Sequence, residues 1–350
     1  KTESNGHVEL PLHLVKKWKE EGRYEQELAE LNAFFERTGH PRAPRFYIMK
    51  WLTDYITEFG IDGYRVDTVK HVEGSVWQEF KKECDIAFEQ WKQDNPKHVL
   101  DEHPFYLVGE VYGYGVGAGQ YYDFGDKRVN YFDNAFQSLI NFQFKWDAKQ
   151  KPMEEVFRLY SDVFTTDLKG FSAMNYISSH DDGQPFDAMR ENPRLAGTLL
   201  LLSPGMSQIY YGDESARSLV IKGTTGDATL RSFMNWDALK SNEEQVKTLM
   251  HWQKLGRFRK RHPSVGAGVH QQLKQKHYVF SRTYKKASYE DKVVVGVHLP
   301  KGKKTIKVGA TFAEGALLID AYSNQETTVV DGEVELQTEQ TLVLLEKKYN

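Results

Sequence analysis

Three acidic residues stand just past apolar, strand-like runs, and their spacing suggests shared chemistry. Asp67 closes Ile61-Asp62-Gly63-Tyr64-Arg65-Val66-Asp67, and Glu110 closes Phe105-Tyr106-Leu107-Val108-Gly109-Glu110. Asp181 follows Tyr176-Ile177-Ser178-Ser179-His180. Carboxylates gathered from separate strand ends suit cleavage of a glycosidic bond. One must be ionised to attack the anomeric carbon, and another protonated to assist the leaving oxygen. A third anion can stabilise the oxocarbenium-like charge and hold a sugar hydroxyl. Taken singly, each acid could equally cap the helix that follows it. The flanking residues argue for a common site. Arg65 precedes Asp67 by two and so points to the same side of an extended strand. A guanidinium there would keep the carboxylate ionised and oriented, the plainer alternative being a structural ion pair. His180 is placed to donate to a sugar hydroxyl. Lys70-His71 lies on the loop after Asp67, where a solvated helix start is the alternative.

Such acids need elements that carry them to one place. Apolar spacing predicts a helix over Leu14–Arg37, broken by Gly39-His40-Pro41, and a second over Phe46–Phe59, ended by Gly60. A strand over Ile61–Asp67 follows. Trp77, Phe80, Cys84, Phe88 and Trp91 then form a helical stripe, with Ser75 and Gln78 as its capping box. Strands are expected at Phe105–Val111, Tyr131–Phe136, Ala173–Ser178 and Gly205–Tyr211, and helices at Pro152–Val163 and Pro193–Leu202. Strands alternating with helices mean a parallel sheet with helical crossovers. In a parallel α/β barrel the active groups gather at the C-terminal strand ends.

The texture changes after His262-Pro263. Short β-rich runs cover Tyr278–Tyr284, Lys292–Leu299, Thr305–Val308, Leu317–Tyr322, Thr327–Val330, Glu333–Leu336 and Thr341–Leu345. Asp331-Gly332 reads as a tight hairpin turn. The fold class is therefore α/β, a parallel sheet with helical crossovers over residues 1–265 followed by a small antiparallel β-sandwich over 266–350.

Composition narrows the function. Of 350 residues, 46 are Lys or Arg and 49 Asp or Glu, a formal charge of −3 that argues against a general nucleic-acid binder. Lys16-Lys17-Trp18-Lys19 and Arg257-Phe258-Arg259-Lys260-Arg261 read as solvated helix faces. No apolar run approaches the ~18 residues a membrane span needs. A lone cysteine, Cys84, rules out an internal disulfide framework and a multi-thiolate zinc site. Its place on the helical stripe makes it packing. The 19 Tyr and 7 Trp fit a surface that stacks on sugars. Gly113, Gly115, Gly117 and Gly119 are expected to form a flexible substrate loop rather than a phosphate cradle, and His98–His103 a polar loop. Trp18, Trp51 and Trp252 read as packing.

Several of these segments resemble the alpha-amylase family, glycoside hydrolase family 13. Gly63-Tyr64-Arg65-Val66-Asp67-Thr68-Val69-Lys70-His71 is similar to its second signature, Gly109-Glu110-Val111-Tyr112-Gly113 to its third, and Ser179-His180-Asp181 to its fourth. Ile209-Tyr210-Tyr211-Gly212-Asp213-Glu214 resembles the segment at its eighth strand, and Arg231-Ser232-Phe233-Met234-Asn235-Trp236 is also familiar from it. The likeness is greatest to bacterial periplasmic or secreted members. It implies Asp67 as nucleophile, Glu110 as general acid/base and Asp181 as transition-state stabiliser. Arg65 would hydrogen-bond the nucleophile, His180 would bind the sugar in the cleaved subsite, and Lys70 and Tyr112 would line the leaving-group side. His71 would contribute its backbone carbonyl to a structural calcium. Ser179 stands where many members have Asn.

The implied function is retaining hydrolysis of α-1,4-glucosidic bonds in starch or maltodextrins. The rivals are an α-glucosidase or transglycosylase of the same family and a non-catalytic glycan-binding homologue. A secreted or periplasmic location and a monomeric intact protein are expected. The family's first signature, with an Asp, an Asn and a His, has no match in residues 1–60. Of the (β/α)8 barrel that the resemblance implies, residues 1–265 are therefore expected to comprise only about strands 4–8, with residues 1–40 read as the end of an inserted subdomain. The calcium site would then be incomplete. The strand of Asp67 would have an open edge, and the isolated chain would not be a stable active enzyme.

Overall fold

The computed structural model describes residues 6–133 and 135–348. They form two compact units, one running to Val111 and including Tyr122–Gln137, the other comprising Tyr112–Tyr121 and the chain from Ser138 onward.

In the first unit the helix expected over Leu14–Arg37 is two helices, α1 (Leu12–Glu20) and α2 (Tyr24–Thr38). Gly22 lies between them at φ 71°, a left-handed conformation that a continuous helix does not admit. The apolar stripe survives the break, because Trp18 is buried edge-on against Trp51 at 6.5 Å. Next, α3 (Pro44–Phe59) has Pro in its first turn and ends on left-handed Gly60. It leads into β1 (Gly63–Val66), which pairs in parallel with β2 (Tyr106–Gly109), Val66 opposite Gly109. Their crossover is α4 (Gly74–Asp94), whose Phe80, Cys84 and Phe88 are buried. Each fully buried aromatic of this kind stabilises by roughly 1.5–3 kcal/mol. Burial also raises the Cys84 thiol well above its ordinary pKa, which fits packing and not nucleophilic chemistry. No capping box forms. The helix starts one residue before Ser75, on Glu73 as N-cap, and Gln78 Nε2 donates instead to the Asp133 carbonyl at 3.1 Å. Among the described residues β1 pairs with β2 alone.

The short strands β3 (Tyr121–Asp123) and β4 (Arg128–Asn130) follow. The strand expected over Tyr131–Phe136 is instead a turn, with Asn134 outside the described residues. Asn130 Oδ1 accepts from Phe132 N–H at 2.9 Å, and Phe136 N–H donates to the Tyr131 carbonyl at 3.2 Å. A side chain that bonds its own backbone in this way favours a turn over a ladder. Tyr131, Phe132 and Phe136 are nevertheless buried, so an apolar run in a turn imitates a strand.

The second unit holds the parallel strands β5 (Ser138–Asn141), β6 (Ser172–Asn175) and β7 (Met206–Ser207), hydrogen-bonded in that order. Their crossovers are α5 (Phe144–Gln150) with α6 (Met153–Thr165), and then α7 (Pro193–Leu202). The last strand is shorter than the Gly205–Tyr211 run suggests. The buried strand ends are polar. Asn141 Nδ2 donates to Asn175 Oδ1 at 2.8 Å and to Tyr160 Oη at 3.1 Å, and Asn175 Nδ2 donates to the Pro204 carbonyl at 2.8 Å. The short α8 (Ala238–Ser241) precedes α9 (Glu243–Arg261), which Asn242 caps by accepting from Glu244 and Gln245 N–H. The basic end of α9 is not simply solvated. Arg259 donates to the carbonyls of Leu201 at 3.0 Å, Ser203 at 2.8 Å and Gly205, groups left open where α7 ends. Trp252 is buried and donates to the Pro193 carbonyl at 2.9 Å.

After α10 (Pro263–Ala267) come β8 (Val269–Lys274), β9 (Val279–Lys286), β10 (Tyr289–Gly296), β11 (Gly302–Lys307), β12 (Leu317–Asp320), β13 (Gln325–Thr328), β14 (Glu333–Thr338) and β15 (Val343–Lys347). Six pair antiparallel in the order β13-β12-β15-β10-β9-β8, and β11 pairs with β14. Ile306, Val334 and Leu336 of the small sheet pack with Val294, Leu318, Val343 and Leu345 of the large one, the core of a sandwich. Asp331 and Gly332 both have positive φ, and Val330 and Glu333 exchange hydrogen bonds across them, so the tight turn forms. The chain then passes from one sheet to the other.

Candidate active site

In the first unit, β1 and β2 end side by side, and their last residues deliver Arg65, Asp67 and Glu110 to one place. Arg65 Nη1 contacts Asp67 Oδ1, and its Nη2 lies 3.3 Å from Glu110 Oε1. One guanidinium therefore serves both carboxyls. The turn after β1 is fastened to Glu110 by its backbone. Glu110 N–H donates to the Val66 carbonyl at 2.8 Å and Val69 N–H to the Glu110 carbonyl at 2.9 Å. Thr68 sits at φ 50° and ψ 36°, a strained conformation for a β-branched residue. It turns the Thr68 N–H onto Glu110 Oε2 at 3.0 Å.

Glu110 is 7% exposed. Burial pushes its carboxyl pKa above the ordinary value, and the Asp67 carboxyl within hydrogen-bonding reach adds to the rise. The Thr68 N–H and Arg65 pull the other way without cancelling it. Asp67 is more exposed than Glu110. The pair thus offers a buried carboxyl biased toward its acid form beside a wetter one held by a guanidinium, the asymmetry that acid–nucleophile chemistry requires. Lys70 lies in the turn, its Nζ 3.1 Å from Tyr122 Oη. The His71 side chain is exposed.

The second unit holds His180, Asp181 and Tyr112. Ser179 Oγ donates to Asp181 Oδ1 at 3.0 Å, and His180 Nε2 stands 3.4 Å from Asp181 Oδ2. Ser179 therefore orients this carboxylate directly. Arg231 Nε donates to the His180 carbonyl at 3.0 Å. Tyr112 is exposed and meets Phe142 edge-on at 5.1 Å, and Phe142 meets Tyr176 at 5.6 Å.

Two further acids, Asp213 and Asp182, were not singled out by the sequence pattern. Asp213 is fully buried and accepts from Ser178 Oγ at 2.5 Å and Arg190 Nη2 at 2.7 Å, so it anchors the segment leading to His180-Asp181. Its place in Tyr211-Gly212-Asp213-Glu214 was visible, but its partners Ser178 and Arg190 are remote in sequence. Asp182 accepts from Tyr176 Oη at 2.5 Å and pairs with Lys145. The glycine-rich loop is not free. Val116 N–H donates to Asn141 Oδ1 at 3.3 Å and Gly117 N–H to Gln143 Oε1 at 3.2 Å, which holds it against β5. Calcium needs about six to eight oxygens, carboxylates prominent among them. Among the described residues no three His, Cys, Asp or Glu side chains converge to hold a metal.

Comparison with known proteins gives these groups a context. The family model for the alpha amylase catalytic domain matches residues 40–288. The periplasmic alpha-amylase of Escherichia coli (strain K12) is 38% identical over 261 residues, covering 72% of this chain and 35% of that protein. A cyclomaltodextrinase of Geobacillus thermopakistaniensis is 26% identical over 244 residues, 66% of this chain and 35% of that protein. Among solved structures, the alpha-amylase from Geobacillus thermoleovorans complexed with acarbose superposes with a TM-score of 0.61 at 21% identity, over 87% of this chain and 64% of that one. The chain spans about a third of the length of these two curated relatives.

Proposed function

Since the chain belongs to the alpha-amylase family, we propose that it carries the acid and nucleophile of a retaining glycoside hydrolase that cleaves α-1,4-glucosidic bonds in starch or maltodextrins. The observation that carries this reading is the Arg65 guanidinium spanning Asp67 and a buried Glu110 whose carboxyl is biased toward its protonated form.

The steps follow from that asymmetry. Asp67, ionised and held by Arg65, attacks the anomeric carbon as Glu110 passes its proton to the departing glycosidic oxygen. The shortened glucan leaves with a new hydroxyl, and the remaining sugar is an ester of Asp67. Glu110, now ionised, takes a proton from water, whose oxygen displaces Asp67 with overall retention. Asp181 stabilises the positive charge that develops on the sugar ring, His180 holds a hydroxyl of the same sugar, and Lys70 and Tyr112 line the leaving-group side. No step passes through calcium.

In this reading the parallel strands are about strands 4–8 of a (β/α)8 barrel whose C-terminal part is residues 1–265, and 266–350 is the appended β domain. Likeness to a periplasmic relative supports a periplasmic or secreted location. Digestion of maltoheptaose by the natural full chain tests the activity. A mixture of internal cleavage products is expected, and glucose as sole product or no cleavage would overturn it.

A further inference from the structure

We infer that the β-sandwich holds a binding site for a single-chain anionic amphiphile, a free fatty acid in its carboxylate form. The site is a cavity of about 670 Å³ lined by residues of β8, β9 and β11 and the turns beside them. Small-molecule sites span roughly 300–1,000 Å³. None of the residues assigned to glucan cleavage lines this cavity, so it stands apart from that reading.

The topology leaves this end of the sandwich open. Among the described residues β8 is the last strand of the six-stranded sheet and β11 pairs with β14 alone. Leu299 and Ile306 belong to the sandwich core, and Leu273 packs partly buried against it. All three line the cavity and give it an apolar wall. Strand alternation turns Lys304 and Ile306 inward from β11 and leaves Lys303, Thr305 and Lys307 on its exposed side.

Charge selects the occupant. Lys274, Lys303, Lys304 and Lys307 line the cavity against a single carboxylate, that of Glu333. Lys303 is engaged by Glu335 at 3.0 Å. Lys304 is 5% exposed and donates to the carbonyls of Gly302 at 3.1 Å, Thr338 at 2.5 Å and Gln340 at 3.1 Å. Its three N–H groups are all used, yet no carboxylate bonds it, so its charge leaves a positive potential in the wall. Lys274 and Lys307 make no ion pair among the described residues. An apolar wall beside lysines without partners matches an acyl chain that carries a negative head. A sugar is a poor match, because no Phe, Tyr or Trp lines the cavity to stack on it. An added peptide strand is a poor match too. β8 has a register shift between Gln272 and Lys274, and β11 reads Gly-Lys-Lys-Thr-Ile-Lys, and bulges and lysines both deter pairing at a sheet edge. A small amphiphile needs no ladder.

Calorimetric titration of the natural full chain with dodecanoate, kept below its micelle-forming concentration, tests this. Saturable one-to-one binding is expected. Dodecyltrimethylammonium has the same tail and the opposite charge, and should bind about tenfold more weakly or worse. The shorter octanoate should also bind about tenfold more weakly or worse, because each methylene withdrawn from water contributes. Replacing both exposed lysines, Lys274→Glu with Lys307→Glu, should weaken dodecanoate about tenfold without changing the melting temperature. Maltoheptaose should not displace dodecanoate. The inference would be overturned by absence of dodecanoate binding, by equal affinity for the two head charges or the two tail lengths, by unchanged affinity in the double variant, or by displacement with maltoheptaose.

Discussion

Replacing Arg65 by methionine removes a charge that both Asp67 and Glu110 use while keeping an apolar stem of similar length. The guanidinium contacts Asp67 Oδ1 and lies 3.3 Å from Glu110 Oε1, with the Arg65 side chain 35% exposed. A hydrogen bond to a charged group contributes roughly 1.5–3 kcal/mol, and partial exposure holds the sum toward the low end. A loss of about 2 kcal/mol of transition-state stabilisation lowers kcat/KM about thirtyfold. The pH profile discriminates further. Arg65 is among the groups that pull the Glu110 carboxyl down, whereas burial and Asp67 push it up. Without the cation the Glu110 carboxyl binds its proton more tightly. The basic limb, which requires protonated Glu110, moves to higher pH. Kinetics on maltodextrin across pH would show a lower bell with its basic limb displaced upward, partly restored in Arg65→Lys. A basic limb unmoved or displaced downward would refute the charge arrangement.

Three further outcomes follow from other parts of the structure. Thr68→Gly relieves a left-handed β-branched residue whose side chain is exposed and should stabilise by about 0.5–1 kcal/mol in thermal unfolding; a lowered melting temperature would contradict the strain. Asp213→Ala leaves the largely buried Arg190 guanidinium its bond to the Arg217 carbonyl but removes the carboxylate that pairs with it, and should cost about 3–5 kcal/mol in urea unfolding, with a cost under about 1 kcal/mol counting against its anchoring role. His262 lies between Asp291, at 2.7 Å, and Glu346. Burial alone would lower its pKa, but the two carboxylates outweigh burial and raise it. That stabilisation is full below about pH 6.5 and is lost as pH rises through the raised value. His262→Ala should therefore lower the melting temperature more at about pH 5.5 than at about pH 9, and an equal drop at both would contradict it.

Much of this was legible because it is local. The α4 stripe, the Pro193–Leu202 helix and the Asp331-Gly332 turn depend on neighbours within a few residues, and sequence spacing records such contacts. Arg65 and Asp67 could be paired from strand alternation alone. The bond from Thr68 N–H to Glu110 could not be read, because it depends on a strained backbone and a partner 42 positions away. Asp213 and Arg259 were obscure for a related reason. Each satisfies groups contributed by other elements, and a charged residue that will be buried looks in sequence like one that will be solvated. The Tyr131–Phe136 error has the opposite cause, since burial without a ladder gives the same apolar run as a strand.

In the mechanism proposed above, Asp67 forms a covalent bond to the sugar while Glu110 supplies the proton. A fluorinated α-glucosyl fluoride, which slows release of the covalent intermediate, followed by proteolysis and mass spectrometry, tests it directly. A glucosyl adduct on Asp67 is expected, as is its disappearance in Asp67→Asn. An adduct on Glu110 or Asp181, or turnover with inverted configuration and no adduct, would contradict it.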